Sequence, residues 1–137
     1  MRVILDTNIL ISALIRRKSV PGRVLQAWVD GRYDLLTHER QLGELRVVTR
    51  RPELHGLIRR AQAGRMVNQL RLHAAVIVRI PRTRRSDDPA DDFLLAMCET
   101  GLADYLVTGD KAGLLNLKSH GPTAIITARS FLDLIVE

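Results

Sequence analysis

The sequence predicts an α/β domain with a mainly parallel central sheet of about five strands. Three observations support this. Short β-type runs alternate with segments of helical periodicity along the chain. Several of the runs, Val3-Ile4-Leu5 among them, are apolar on both faces, as buried parallel strands are. The 137 residues are 46% hydrophobic but only 4% aromatic, which suits one domain, residues 1–137, with an aliphatic core.

Val3-Ile4-Leu5 reads as the first strand, stopped by Asp6. Thr7 and Asn8 offer helix-cap chemistry, and Ile9, Leu10, Ala13 and Leu14 recur at helical spacing. Val20-Pro21-Gly22 reads as a break. Val24, Leu25, Trp28 and Val29 form a second amphipathic stripe, ended near Gly31. Tyr33 to Thr37 reads as a strand, and His38 to Arg50 as a helix ended by Arg51-Pro52. Glu53 to Ala75 reads as helical, interrupted at Gly56 and Gly64. Ala75 to Ile80 is β-branched and apolar, a third strand. A basic loop from Pro81 to Ser86 leads into Asp88-Pro89, an N-cap followed by proline at the first helical position. That helix reaches about Thr100 and stops at Gly101. Tyr105 to Thr108 is a fourth strand, Gly113 to Lys118 a short helix, Thr123 to Thr127 a fifth strand, and Arg129 to Val136 a closing helix.

The net charge is +6 and the isoelectric point near 10.4, which suggests a polyanionic partner, nucleic acid first. The bland reading is a protein that is merely basic. One cysteine, Cys98, excludes an internal disulfide and any cysteine-rich zinc site. The four histidines show no zinc spacing, and no Ser/His/Asp arrangement, P-loop or dinucleotide fingerprint is present. The N-terminus does not read as a signal peptide, and no run has the roughly 18 apolar residues of a membrane span. A cytoplasmic location is the expectation.

The acids carry the chemistry. Asp87, Asp88, Asp91 and Asp92 crowd six residues of a basic chain. Two unit charges about 4 Å apart repel by roughly 4 kcal/mol at a surface-like dielectric. Arginines, a helix start or a divalent cation could offset that repulsion. Asp88 is explained as a cap, and acids in a first helical turn gain about 0.3–1 kcal/mol each from the dipole. The helix that follows is apolar almost all round, so at least one of Asp91 and Asp92 starts near the protein body. Asp6 and Asp110 each follow a strand, and ligands of open parallel sheets sit outside the strands' carboxyl ends. Each alone is also a plausible helix cap. Glu44 lies beside an apolar stripe, as a snorkelling edge residue or a partner of Arg40 would. Four acids from four segments suggest a hard-cation site for Mg²⁺ or Mn²⁺.

These segments resemble the motifs of PIN domains, the metal-dependent ribonuclease fold of many bacterial and archaeal toxins. Val3-Ile4-Leu5-Asp6-Thr7-Asn8-Ile9-Leu10 resembles the opening strand. Glu44-Leu45-Arg46-Val47-Val48, with Arg51-Pro52 after it, resembles the helical Glu segment. Asp88-Pro89-Ala90-Asp91-Asp92 and Ala103-Asp104-Tyr105-Leu106-Val107-Thr108-Gly109-Asp110 resemble the third and fourth motifs. The resemblance implies a three-layer α/β/α fold and an endoribonuclease. It implies Asp6, Glu44, Asp91 and Asp110 as metal-binding acids, with Asp92 close by. It gives Asn8 and Thr108 supporting roles, and it implies a homodimer inhibited by a cognate antitoxin. Asp104, which precedes its strand, reads as structural. Arg82, Arg84 and Arg85 are the candidate RNA contacts, because phosphate contacts near a metal site would position the backbone; charge balance and solubility are the alternative. Two other classes compete: an inactive PIN-like module that binds RNA or protein, and a receiver-like or phosphatase-like domain, which the Asp-Thr-Asn opening fits poorly.

Overall fold

The computed structural model describes residues 1–109 and 112–136. The elements in order are β1 (Arg2–Leu5), α1 (Thr7–Ile15), α2 (Val20–Val29), β2 (Asp34–His38) and α3 (Glu39–Thr49). A 3-10 turn (Pro52–Leu54) leads to α4 (Arg60–His73), β3 (Ala75–Ile77), α5 (Pro89–Gly101) and β4 (Tyr105–Thr108). The chain then forms α6 (Ala112–Leu117), β5 (Ser119–His120), β6 (Thr123–Thr127) and α7 (Ala128–Ile135).

The strands form one sheet in the order β3-β2-β1-β4-β6-β5. Every pairing is parallel except β5 with β6. The five expected strands are therefore present, with a short sixth at one edge. β5 has two residues, too few to show a period.

Strand alternation divides the core into two. Val3, Leu5, Leu35 and Val107 face one cluster, built with α1, α2, α3, α4 and α7. Ile4, Leu36, Leu106 and Ile125 face the other, under α5 and α6. That is the three-layer α/β/α arrangement. Successive side chains of a strand point to opposite faces, so a strand covered on both sides must be apolar at every position. Each fully buried Leu, Ile or Val adds about 1.5–3 kcal/mol.

Several local expectations need correction. Val20-Pro21-Gly22 does not break the chain but opens α2: the Ser19 hydroxyl accepts the Gly22 N–H at 3.2 Å, and Pro21 sits in the first turn, where no N–H is needed. Gly64 does not interrupt α4. Gly101 does not stop α5; it is the last helical residue, and Leu102 turns the chain at φ 50°. Gly101 packs closely, since a Cβ there would lie 2.7 Å from Leu36 Cδ1 and push the ends of the Leu36 and Ile77 side chains aside. β3 ends at Ile77, short of the expected Ile80.

Candidate active site

The amino edge of the sheet is closed by ordinary structural bonds. Asp104 accepts the Arg2 backbone N–H at 2.8 Å, and Arg2 Nε donates to the Gly101 carbonyl at 2.7 Å. Asp104 is thus structural, as its position before β4 suggested. The same bonds hold the end of α5 at this edge. The 13 residues of α5 run about 20 Å back across the sheet. Its first turn therefore lies at the carboxyl edge, where Phe93 meets the His38 ring at the end of β2.

Asp6 ends β1 at that edge and is buried, 3% exposed. It caps α1, with Oδ1 accepting the Asn8 N–H at 3.3 Å. Its Oδ2 accepts the hydroxyl of Thr108, the last residue of β4, at 2.9 Å. The cap reading is therefore met by one oxygen of this carboxylate, while the other faces the end of β4. Asn8 itself is exposed at the start of α1.

Asp91 and Asp92 have different surroundings. Asp91 is 6% exposed, and its Oδ2 lies 3.5 Å from where a Gly113 Cβ would be, so its carboxylate abuts the start of α6. Asp92 turns away: its Oδ1 accepts the backbone N–H groups of Arg85 at 3.0 Å and Ser86 at 2.8 Å. It anchors the basic loop. Asp88 is the N-cap of α5, accepting the Ala90 N–H at 2.9 Å. Asp110 lies outside the described residues. Its neighbours in sequence, Thr108 and Gly113, border Asp6 and Asp91 respectively.

Sequence reasoning missed Gln41. This buried α3 residue donates from Nε2 to the Leu5 carbonyl at 2.7 Å and accepts the Thr37 hydroxyl at 2.8 Å. A longer contact, 3.5 Å, joins Nε2 to Thr7 Oγ1. Gln41 thereby ties the ends of β1 and β2 together directly beneath the edge that carries Asp6. Its one sequence signal is a place on the helical stripe of Leu45. Glu44, one turn further along α3, is exposed. Arg40, offered as its partner, instead stacks over Phe93, its guanidinium carbon 4.4 Å from the ring centroid. Among the described residues, no three His, Cys, Asp or Glu side chains form a group that could hold a metal ion, so Glu44 does not complete a trio with Asp6 and Asp91.

A family model for the PIN domain matches residues 2–112, from β1 through the start of α6. The chain belongs to the PIN-domain family. Members of this family are generally nucleases and usually use divalent metals. No curated protein and no solved structure shows significant similarity to the chain. The donors that this PIN domain presents at the carboxyl edge are buried carboxylates and a hydroxyl, all oxygen. That chemistry fits a hard cation such as Mg²⁺ or Mn²⁺ and not a thiophilic one. No described helix of the PIN domain is long and apolar enough to cross a membrane.

The loop between β3 and α5 is strapped across the face of this PIN domain. Arg85 Nη1 donates to the Ser119 carbonyl at 2.8 Å and to His120 Nδ1 at 2.9 Å. Because a guanidinium only donates, His120 Nδ1 must accept, and the ring proton sits on Nε2, which meets Glu99 Oε1 at 2.9 Å. Thr83 donates to the other Glu99 oxygen at 2.7 Å. These two hydrogen bonds, Thr83 first, hold the Glu99 carboxyl below its ordinary value. Arg85 therefore serves the loop as a strut, whereas Arg82 and Arg84 are exposed and make no ion pair among the described residues.

Proposed function

We propose that this PIN domain is an endoribonuclease that hydrolyses RNA phosphodiester bonds with water as nucleophile, dependent on Mg²⁺ or Mn²⁺. The observation that carries this reading is a pair of buried carboxylates, Asp6 and Asp91, delivered to one edge of the sheet by opposite halves of a basic chain. Carboxylate oxygens gathered at the carboxyl edge of a parallel sheet are the donors that hard divalent cations prefer.

Asp6 and Asp91, joined by Asp110, would hold the ion; Glu44, exposed on α3, would stand at the rim. When bound, the ion supplies Lewis acidity and an acidified water. The chain's own residues do the rest. Thr108 fixes the rotamer of Asp6 by donating its hydroxyl to Oδ2. Asn8 lines the rim. Asp92 holds the basic loop in place, so that Arg82 and Arg84 meet the phosphate backbone.

The toxin role, inhibition by a cognate antitoxin, a homodimer and a cytoplasmic location belong to this same proposal and rest on the resemblance to toxin PIN domains. The exposed setting of Glu44 favours a second reading, an RNA-binding PIN module without turnover.

The test is incubation of the purified protein with a mixed RNA pool and Mn²⁺, with and without chelator, beside Asp6→Asn and Asp91→Asn. Cleavage should be abolished by chelator and by either substitution, with the circular dichroism spectrum unchanged. Equal cleavage by wild type and both variants would refute the assignment. Binding without cleavage in any divalent metal establishes the second reading.

A further inference from the structure

Beside the acid edge lies a concavity of about 400 Å³, walled by α3, the basic loop and α5. Its floor is apolar, with Ile80, Pro81, Phe93 and Ala96. Its rim is cationic, with Arg40, Arg82 and Arg84. One acid, Asp92, faces it, and Asp92 Oδ1 is already engaged by two backbone N–H groups. None of the three arginines makes an ion pair among the described residues. The volume falls within the range of small-ligand sites, about 300–1,000 Å³.

Two pairs of consecutive residues connect this pocket to the acid edge. On α3, Gln41 is buried beneath the edge while Arg40 borders the pocket. On α5, Asp91 is buried at the edge while Asp92 borders the pocket. The pocket therefore shares its α3 and α5 walls with the acid edge. Arg40 is also pre-organised: stacked on Phe93 at 4.4 Å, its planar fork is held at the rim.

We infer that this pocket seats one nucleotide of single-stranded RNA flanking the bond to be cut, an inference that rests on the nuclease reading. The apolar floor takes the base, Arg40 offers it a planar stacking surface, and Arg82 and Arg84 neutralise the adjoining phosphates. A base reaches a concave pocket only when it is splayed out of a stack, which selects single strands over duplex. A second basic cleft between α3 and α4, about 280 Å³ with Arg46, Arg50 and Arg60, has no aromatic platform and serves as the comparison.

The test is fluorescence anisotropy of a labelled ten-nucleotide oligouridylate with the full chain in chelator, so that binding is read without chemistry. Arg40→Ala, Arg82→Ala and Arg84→Ala combined should weaken binding at least tenfold. They should also flatten the slope of log affinity against log salt by about 1.4, since Arg82 and Arg84 each meet a phosphate and each such contact to a single strand contributes about 0.7. Arg40→Lys should weaken binding several-fold with little change in slope, because it keeps the charge and loses the plane. Arg50→Ala with Arg60→Ala should change affinity less than twofold, and a duplex of equal length should bind more weakly than the single strand. Wild-type affinity in the triple variant, an equal loss in the comparison variant, or equal binding of duplex would each overturn the pocket. Its failure is distinguishable from that of the nuclease reading. Oligouridylate binding that depends on the three arginines, with no cleavage in Mn²⁺, sinks only the nuclease; cleavage with an unaltered KM in the triple variant sinks only the pocket.

Discussion

Thr108 donates its hydroxyl to Asp6 Oδ2 at 2.9 Å, a bond between residues 102 positions apart. Both are buried at the carboxyl ends of adjacent parallel strands, in a register that pairs Leu5 with Val107. Thr108→Val keeps the shape and removes the donor. Stability should fall by about 1–3 kcal/mol, the range for leaving a buried acceptor unsatisfied. Thr108→Ser should restore most of it. Urea unfolding measures the first effect; the Mn²⁺ concentration needed for half-maximal RNA cleavage should rise in the valine variant. An unchanged midpoint in both assays would show that the bond positions nothing.

Asp91 and Asp92 are adjacent, yet their replacements should diverge. Asp91→Asn should abolish cleavage with the fold intact. Asp92→Asn weakens the acceptor of two backbone N–H groups and should free the loop. Limited trypsin digestion between Arg79 and Arg85 should then speed up several-fold while some cleavage of RNA survives. Equal loss of activity in both, with equal protease resistance, contradicts this division.

Gly22, in the first turn of α2, packs against the turn that follows α1. A Cβ there would sit 2.2 Å from the Arg17 carbonyl oxygen, which is backbone and cannot rotate away. Gly22→Ala should therefore cost about 2 kcal/mol or more, in the range of overpacked positions. Gly43→Ala meets nothing within 4 Å and should be neutral or stabilising. Thermal unfolding of the pair checks this, and a tolerated Gly22→Ala would show that the helix junction yields.

Burial raises the Cys98 thiol to about 12. The thiolate is the reactive form, so the folded chain should resist a thiol-specific disulfide reagent at about pH 8. One equivalent should react promptly in denaturant. Rapid native reaction would mean that α5 opens far more readily than its packing implies.

Glu99 is held below its ordinary value by Thr83 and His120, so the unfolded chain binds its proton more readily than the folded one. Its contribution is complete above the unfolded value of 4.5 and disappears as pH falls through the lower folded value. Amide exchange in the loop strapped by Thr83, Arg85 and His120 should accelerate as pH drops from about 6 to about 3, beyond the intrinsic pH trend. Glu99→Gln should remove that excess. If both proteins show the same profile, the strap does not titrate through Glu99.

Much of this architecture was legible in residue order. Val3-Ile4-Leu5 is apolar throughout because helices cover both faces of β1. Asp88-Pro89 announces a helix start because capping and the proline ring act within a single turn. Pro21 misled for the same reason: proline both breaks helices and opens them, and Ser19 two residues earlier decides which. The sequence places the turn at Gly101, but the chain turns left-handed one residue later, at Leu102, where Gly101 packs against the Leu36 and Ile77 side chains of distant strands.

The motifs indicated that carboxylates belong to a site, because strand ends and helix starts are local features with known destinations in a parallel sheet. They could not indicate that Asp91 abuts α6 while Asp92 holds a loop, since a turn of about 100° per residue has meaning only once the helix has docked. Gln41, the Arg85–His120–Glu99 strap and the Arg40–Phe93 platform were invisible for the same reason. Each joins side chains whose proximity follows from strand pairing and helix packing, and no short-range preference of the chain encodes it.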